Sequence, residues 1–205
     1  VVLLTAPAGG VQDNQLVIQF LEDYIFPLGK RRIDEFMISG VSLGGEQPLL
    51  TGENECFTNP LGHVNWRLLK NDKRVRVAVP IIAVPADSLG NVHTARFAAD
   101  KTLGTDNMYY PRATREFYEG KSAPGTYRGK KILALHGGID SVVPPAFGQK
   151  DWDTVIVPEC GPGNAVQWIQ PGRGHICTPE MVEKAAEWFY RWGVADISDA
   201  PRAKL

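Results

Sequence analysis

Much that would mark this chain as specialised is missing from it. It carries 22 basic against 23 acidic side chains, a net charge of −1, so no surplus of one sign points to nucleic acid or an anionic membrane surface. No apolar run approaches the ~18–20 residues that would span a bilayer. Val1–Leu4 is a short apolar start with no basic stretch before it, which does not read as a signal peptide. The absence of an initiator Met suggests a trimmed or incomplete product. Cysteine is scarce: Cys56, Cys160 and Cys177 form no C-x-x-C pair, so neither a disulfide framework nor a zinc site is indicated. Three thiols in a reducing cytoplasm are the expectation. There is no internal repeat and no low-complexity tract.

What is present suits one domain over residues 1–205. Apolar residues make up 43% of the chain, enough for a core. The 21 glycines and 15 prolines cluster between apolar runs, as turns at strand ends do. Val1–Leu4 reads as a strand stub closed by Pro7, Gly9 and Gly10. Leu16, Phe20, Leu21, Tyr24 and Leu28 recur at helical spacing in 14–28. Strands are expected at 33–39, 75–84, 130–135 and 165–169, with Pro80 at a bulge or near the end of its strand. Val155–Val157 is a weaker strand candidate. A helix is expected over 63–70, and another after Thr178, a good N-cap followed by Pro179 and Glu180. Met181, Ala185, Trp188, Phe189 and Trp192 form its apolar stripe, and Gly193 should end it. Strands alternating with helices predict an α/β layer with a mostly parallel sheet.

The chemistry is concentrated in three places. Gly40-x-Ser42-x-Gly44 follows a strand, the context of a nucleophile elbow. A serine at a sharp strand-to-helix turn is lifted above the sheet edge, and flanking glycines let the chain pass. The N–H of the next residue, Leu43, then points at the same space and can stabilise an oxyanion. Asp140 lies just past the strand ending at His136-Gly137-Gly138, placed either to orient a histidine or to cap its own turn. His175, in Gly172-Arg173-Gly174-His175, follows the AVQWI strand, and flexible glycines would let its ring swing toward a serine.

On GVSLGG (40–45), HGGIDSVVPP (136–145) and QPGRGHICTPEMVEKAAEWFYRW (170–192), the chain from about Ile33 to Trp192 resembles the α/β-hydrolase superfamily. The last two motifs look most like its esterase, dienelactone-hydrolase or prolyl-peptidase-like members. The order Ser, Asp, His is that of the hydrolases. The resemblance implies a serine hydrolase of the carboxylesterase type: Ser42 as nucleophile, Asp140 as acid, His175 as base, an acyl-enzyme intermediate, a small-molecule ester as substrate, and neither metal nor organic cofactor. Activity should then rise with pH through one imidazole ionisation. Asp87, after the VRVAVPIIAV strand, is the second candidate for the acid. Residues 86–128, with Tyr109, Tyr110, Phe117 and Tyr118, would form a cap over an acyl pocket.

Two departures from that pattern stand out. Only 41 residues precede Ser42, whereas the superfamily's elbow belongs to about the fifth strand, so most of the N-terminal half-sheet is expected to be missing. The fold expected is thus an incomplete α/β-hydrolase fold. Ala8-Gly9-Gly10 would stand in for the second oxyanion loop, with Gly9 as donor. The other departure is EQPLLTGENECFTNPLG (46–62), which separates the elbow from its helix and carries Pro48, Gly52, Pro60 and Gly62. Removing it joins Gly45 to His63 and restores an elbow-and-helix sequence. The segment is therefore read as an insertion, an untranslated stretch read through or a loop shaping the substrate entrance. The alternative function is a non-catalytic or defective member of the same fold acting as a binding module or inactive fragment.

Overall fold

A computed structural model describes residues 2–42, 61–90 and 121–195. Leu43, Cys56, most of the 46–62 segment and the aromatic part of the expected cap lie outside these residues.

Four strands form one parallel sheet in the order β1-β2-β3-β4: β1 (Phe36–Val41), β2 (Val75–Ile81), β3 (Lys131–Gly137) and β4 (Ala165–Gln170). Parallel sheets need cover on both faces, and the side chains of β3 divide accordingly. Ile132 and Ala134 join a core with α1 (Val2–Ile25) and α2 (Leu61–Asn71), while Leu133 and Leu135 join one with a C-terminal helix. Trp66 of α2 centres the first core. It meets Tyr127 and Trp152 edge-on and donates its indole N–H to the Ala83 carbonyl at 3.1 Å, which settles the polar end of a fully buried ring.

The strand limits differ from expectation for local reasons. β1 starts three residues late because the Ile33 N–H is held by the Glu22 carboxylate of α1 at 2.8 Å, not by the sheet. β2 stops at Ile81 because Ile82 takes φ +47° and turns the chain; Pro80 lies one residue from the end of the strand, opposite Gly40. After β3, α3 (Ala146–Asp151) passes through a π turn (Trp152–Ile156) into α4 (Val157–Cys160). Val155–Val157 is therefore helical and forms no strand.

The N-terminal strand stub is not there either: residues 2–4 begin helix α1, and Pro7, Gly9 and Gly10 lie within it. With no strand, there is no loop after it, and Gly9 sits in a helical backbone whose ladder takes its N–H. The oxyanion role expected of Gly9 loses its structural basis. The face of α1 that packs is also another one. Val11 and Ile18, seven residues apart, are buried, and Leu16, Phe20, Tyr24 and Leu28 are exposed.

The last helix, α5 (Pro179–Phe189), follows the sequence closely. The Thr178 hydroxyl accepts from the Met181 N–H at 3.3 Å, Pro179 is in the first turn, and Met181, Ala185 and Trp188 are buried. Gly193 does not end it, because a π turn (Tyr190–Ala195) continues through that residue. Gly193 instead lies against the end of the Met37 side chain of β1, which would have to shift to admit a Cβ.

Candidate active site

Three strands deliver one side chain each to the carboxyl end of the sheet. Ser42 directly follows β1, Asp140 follows β3, and His175 follows β4. Crevices at this end of an open parallel sheet are the usual place for ligands.

Ser42 is 1% exposed and holds φ +52°, a left-handed conformation that costs a non-glycine residue of order 1–3 kcal/mol unless its surroundings impose it. They do so here. Its N–H donates to the Ile81 carbonyl at 2.8 Å, continuing the β1–β2 ladder, and its own carbonyl accepts from the Gly62 N–H at 2.9 Å. Gly62 is pressed so close that a Cβ would lie 2.8 Å from both the Ser42 N and the Ala83 Cβ. No other residue fits there.

This changes the boundary of the intervening segment. Leu61 and Gly62 belong to α2, and Gly62 is the glycine that seats the serine turn from the helix side. From the sequence that work falls to Gly44, and Gly62 lies in the segment taken as an insertion. The signal that would have found it is the order Gly62-His63 immediately before the amphipathic helix.

The serine hydroxyl lies 2.5 Å from His175 Nε2, and His175 Nδ1 lies 2.8 Å from Asp140 Oδ2. The other oxygen of Asp140 accepts the N–H groups of Val142 and Val143 at 2.8 and 2.9 Å. The two uses foreseen for Asp140 therefore coexist: one oxygen caps its own turn and the other orients the histidine. Burial alone would push this carboxyl up. The His175 hydrogen bond and charge, with the two backbone N–H groups, outweigh that and hold it below the ordinary carboxylate range. A charge-stabilised carboxylate behind the ring favours the tautomer with the proton on Nδ1, which leaves Nε2 free to accept from the serine.

The histidine loop does not swing freely. Thr178 Oγ1 donates to Gln170 Oε1 at 2.7 Å, and Gln170 Nε2 donates to Glu180 at 2.8 Å, which ties the two ends of the loop together. Across from it, Gly138 N–H donates to the Gln170 carbonyl and Ile139 N–H to that of Arg173. A Cβ on Gly137 would run into the Arg173 and Gly174 carbonyls. Gly137 thus sets how near the acid loop can come to the histidine loop.

Asp87 is elsewhere. One oxygen takes the Lys70 ammonium at 2.8 Å and the other the Ser122 N–H at 2.6 Å, so both are committed away from His175 and the second candidate for the acid falls. His136 is buried on β3 beside Asp140; its Nδ1 has no hydrogen-bond partner among the described residues, and burial lowers its pKa to about 4. Cys160 is equally inert: burial pushes the thiol up to about 12, and it faces the Tyr127 carbonyl. Among the described residues no three His, Cys, Asp or Glu side chains group as metal ligands, and no helix is long and apolar enough to cross a membrane.

The fold is found among solved structures. TT1662 from Thermus thermophilus matches with a TM-score of 0.54 and 18% identity over 83% of this chain and 57% of that one. The Pyrococcus furiosus esterase Pf2001 matches with a TM-score of 0.54 and 17% identity over 92% and 64%. A candidate dienelactone hydrolase from Klebsiella pneumoniae gives a TM-score of 0.50 and 11% identity over 91% and 61%. The chain therefore has the parallel sheet and flanking helices of the α/β-hydrolase fold while spanning about three-fifths of the length of these neighbours. No protein-family model and no curated protein matches the sequence.

Proposed function

We propose that the chain is a serine hydrolase that cleaves carboxylic esters through an acyl-enzyme, with Ser42 as nucleophile, His175 as general base and acid, and Asp140 as the residue that orients His175. The observation that carries this is the unbroken chain of hydrogen bonds from the Ser42 hydroxyl through His175 to Asp140, with the serine held in a left-handed turn at the sheet edge. The esterases and hydrolases among the structural neighbours support a hydrolase in general.

In the first step the Ser42 oxygen bonds to the substrate carbonyl carbon while its proton passes to His175 Nε2. The Asp140 carboxylate offsets the charge of the imidazolium. The tetrahedral adduct then expels the alcohol, which leaves with the proton from Nε2. Water repeats the sequence: its proton goes to Nε2, its oxygen to the acyl carbon, and Ser42 recovers its hydrogen as the carboxylic acid departs. The backbone N–H of Leu43 is the proposed oxyanion donor, since it follows the nucleophile in a turn of this kind.

The test is covalent labelling. A fluorophosphonate should add one adduct to the intact chain at Ser42, and Ser42→Ala should abolish both the adduct and hydrolysis of a short-chain aryl ester. A second reading, a non-catalytic member of the fold, rests on Gly9 lying within helix α1 rather than in an oxyanion loop. A folded chain whose Ser42 stays unlabelled would establish that reading instead.

A further inference from the structure

A net charge near zero conceals a local excess of cations. Among the described residues, a cavity of about 440 Å³ is lined by nine side chains and backbones, of which five are basic and none acidic: Lys70, Lys73, Arg76, Arg128 and Lys130. Arg76 and Lys130 stand at the amino ends of β2 and β3, whereas Ser42 follows a carboxyl end. The two places are thus roughly 20 Å apart, the length of a six- or seven-residue strand.

Two of the five charges are already matched, Lys70 by Asp87 and Arg76 by Glu35. The other three are not. Lys73 and Arg128 are exposed and form no ion pair among the described residues. Lys130, only 5% exposed, spends two donors on the backbone carbonyls of Asp72 and Val75 at 2.9 and 2.6 Å. The nearest carboxylate, Asp72, is itself bound to Arg74 through both oxygens. Among the described residues this buried ammonium has two carbonyls but no carboxylate at hydrogen-bond distance, an arrangement that leaves part of its charge unmatched.

We propose that this cavity binds a small molecule through a phosphate group carrying two or more negative charges. Charge complementarity favours a multiply charged anion over a simple carboxylate, because three cations surround one space. An arginine fork and two ammonium groups together offer the planar and point-like donors that phosphate oxygens accept. The volume lies within the range of small-molecule sites and is far below that of a nucleic-acid groove. The lysine that would sit deepest supports the same reading, since burial, with the charge of Arg76, lowers the Lys130 pKa to about 8 against the opposing pull of Asp72 and Cys160. An anion there would restore its proton.

Calorimetric titration of the intact chain with inorganic pyrophosphate at low ionic strength and pH 8.5 tests this. One saturable site is expected, weakened at least tenfold in Lys73→Glu/Arg128→Glu and by added salt. Both substituted side chains are exposed; should the double charge reversal fail to fold, Lys73→Gln/Arg128→Gln takes its place. The proposal is overturned by no saturable heat up to ~10 mM, by equal affinity in the variant, by acetate binding as well as pyrophosphate, or by a single-stranded oligonucleotide outcompeting it. None of these outcomes touches Ser42 labelling, so the two readings stand or fall separately.

Discussion

Ser42 and Gly62 act as one unit although the chain separates them by the whole intervening segment. A serine can hold φ +52° only where both peptide groups around it are pinned, and one of the pins is the Gly62 N–H. Gly62→Ala should therefore cost far more than a helix substitution of that kind. The added methyl meets backbone on one side and the Ala83 Cβ on the other, and neither can yield. Fluorophosphonate labelling of Ser42 should slow by on the order of 10², the effect of misplacing a reacting atom by about 1 Å. A labelling rate within twofold of the parent chain would contradict the seating role.

His136 makes a prediction of its own. Its pKa is lowered to about 4 by burial, against ~6.5 in the unfolded chain. The unfolded state therefore binds more protons between those values, and stability must fall as pH drops from 6.5 toward 4. The loss by pH 5 is on the order of 2 kcal/mol. The Asp140 carboxyl, held below its ordinary range, adds a loss of the same sign at lower pH. Urea midpoints at pH 7 and pH 5 should differ less in His136→Gln than in the parent chain; equal shifts would show that the ring is not the group that titrates.

At the scale of elements, most of the architecture can be read from the residues, and the failures have identifiable causes. The strands at β1, β2, β3 and β4 were legible because short apolar stretches, richest in β-branched residues in β2, end in turn residues, and α5 because Thr178, Pro179 and Glu180 state its start outright. Val1–Leu4 misled because four apolar residues suit a strand or a helix equally, and only packing decides. Gly193 reads as a stop but lies inside a π turn, since a glycine that a helix merely tolerates has the same letter as one that ends it. The three site residues were legible from strand-end context. The restraint on their loop was not: Gln170, Thr178 and Glu180 lie eight and two residues apart, with no spacing rule to link them. That restraint can be tested by exchange. Gln170→Glu sets two carboxylates against each other and should slow Ser42 labelling about tenfold. Adding Glu180→Gln, which returns a donor to the pair, should recover most of the rate. A double variant as slow as the single one would assign the loss to general loosening.

At the scale of the molecule, the described residues leave a stretch of apolar surface uncovered. Among the described residues β1 is an edge strand, and Leu16, Val17, Phe20, Tyr24 and Leu28 of the α1 region are exposed. A helix whose second face is apolar and bare promotes association. Elution from a sizing column should shift to larger species as concentration rises, and Leu16→Lys/Phe20→Glu should suppress that shift without changing the labelling rate. A concentration-independent monomer in the parent chain would refute this.

The four described strands lie side by side in chain order, and Ser42, Asp140 and His175 each follow a different one, with β2 between the first and the others. No half of the sheet can assemble that trio by itself. If Ser42 reacts as proposed, the fraction that accepts a phosphonate counts completely folded molecules, and a denaturation curve drawn from it should overlay one drawn from the indole fluorescence of Trp66 and Trp152.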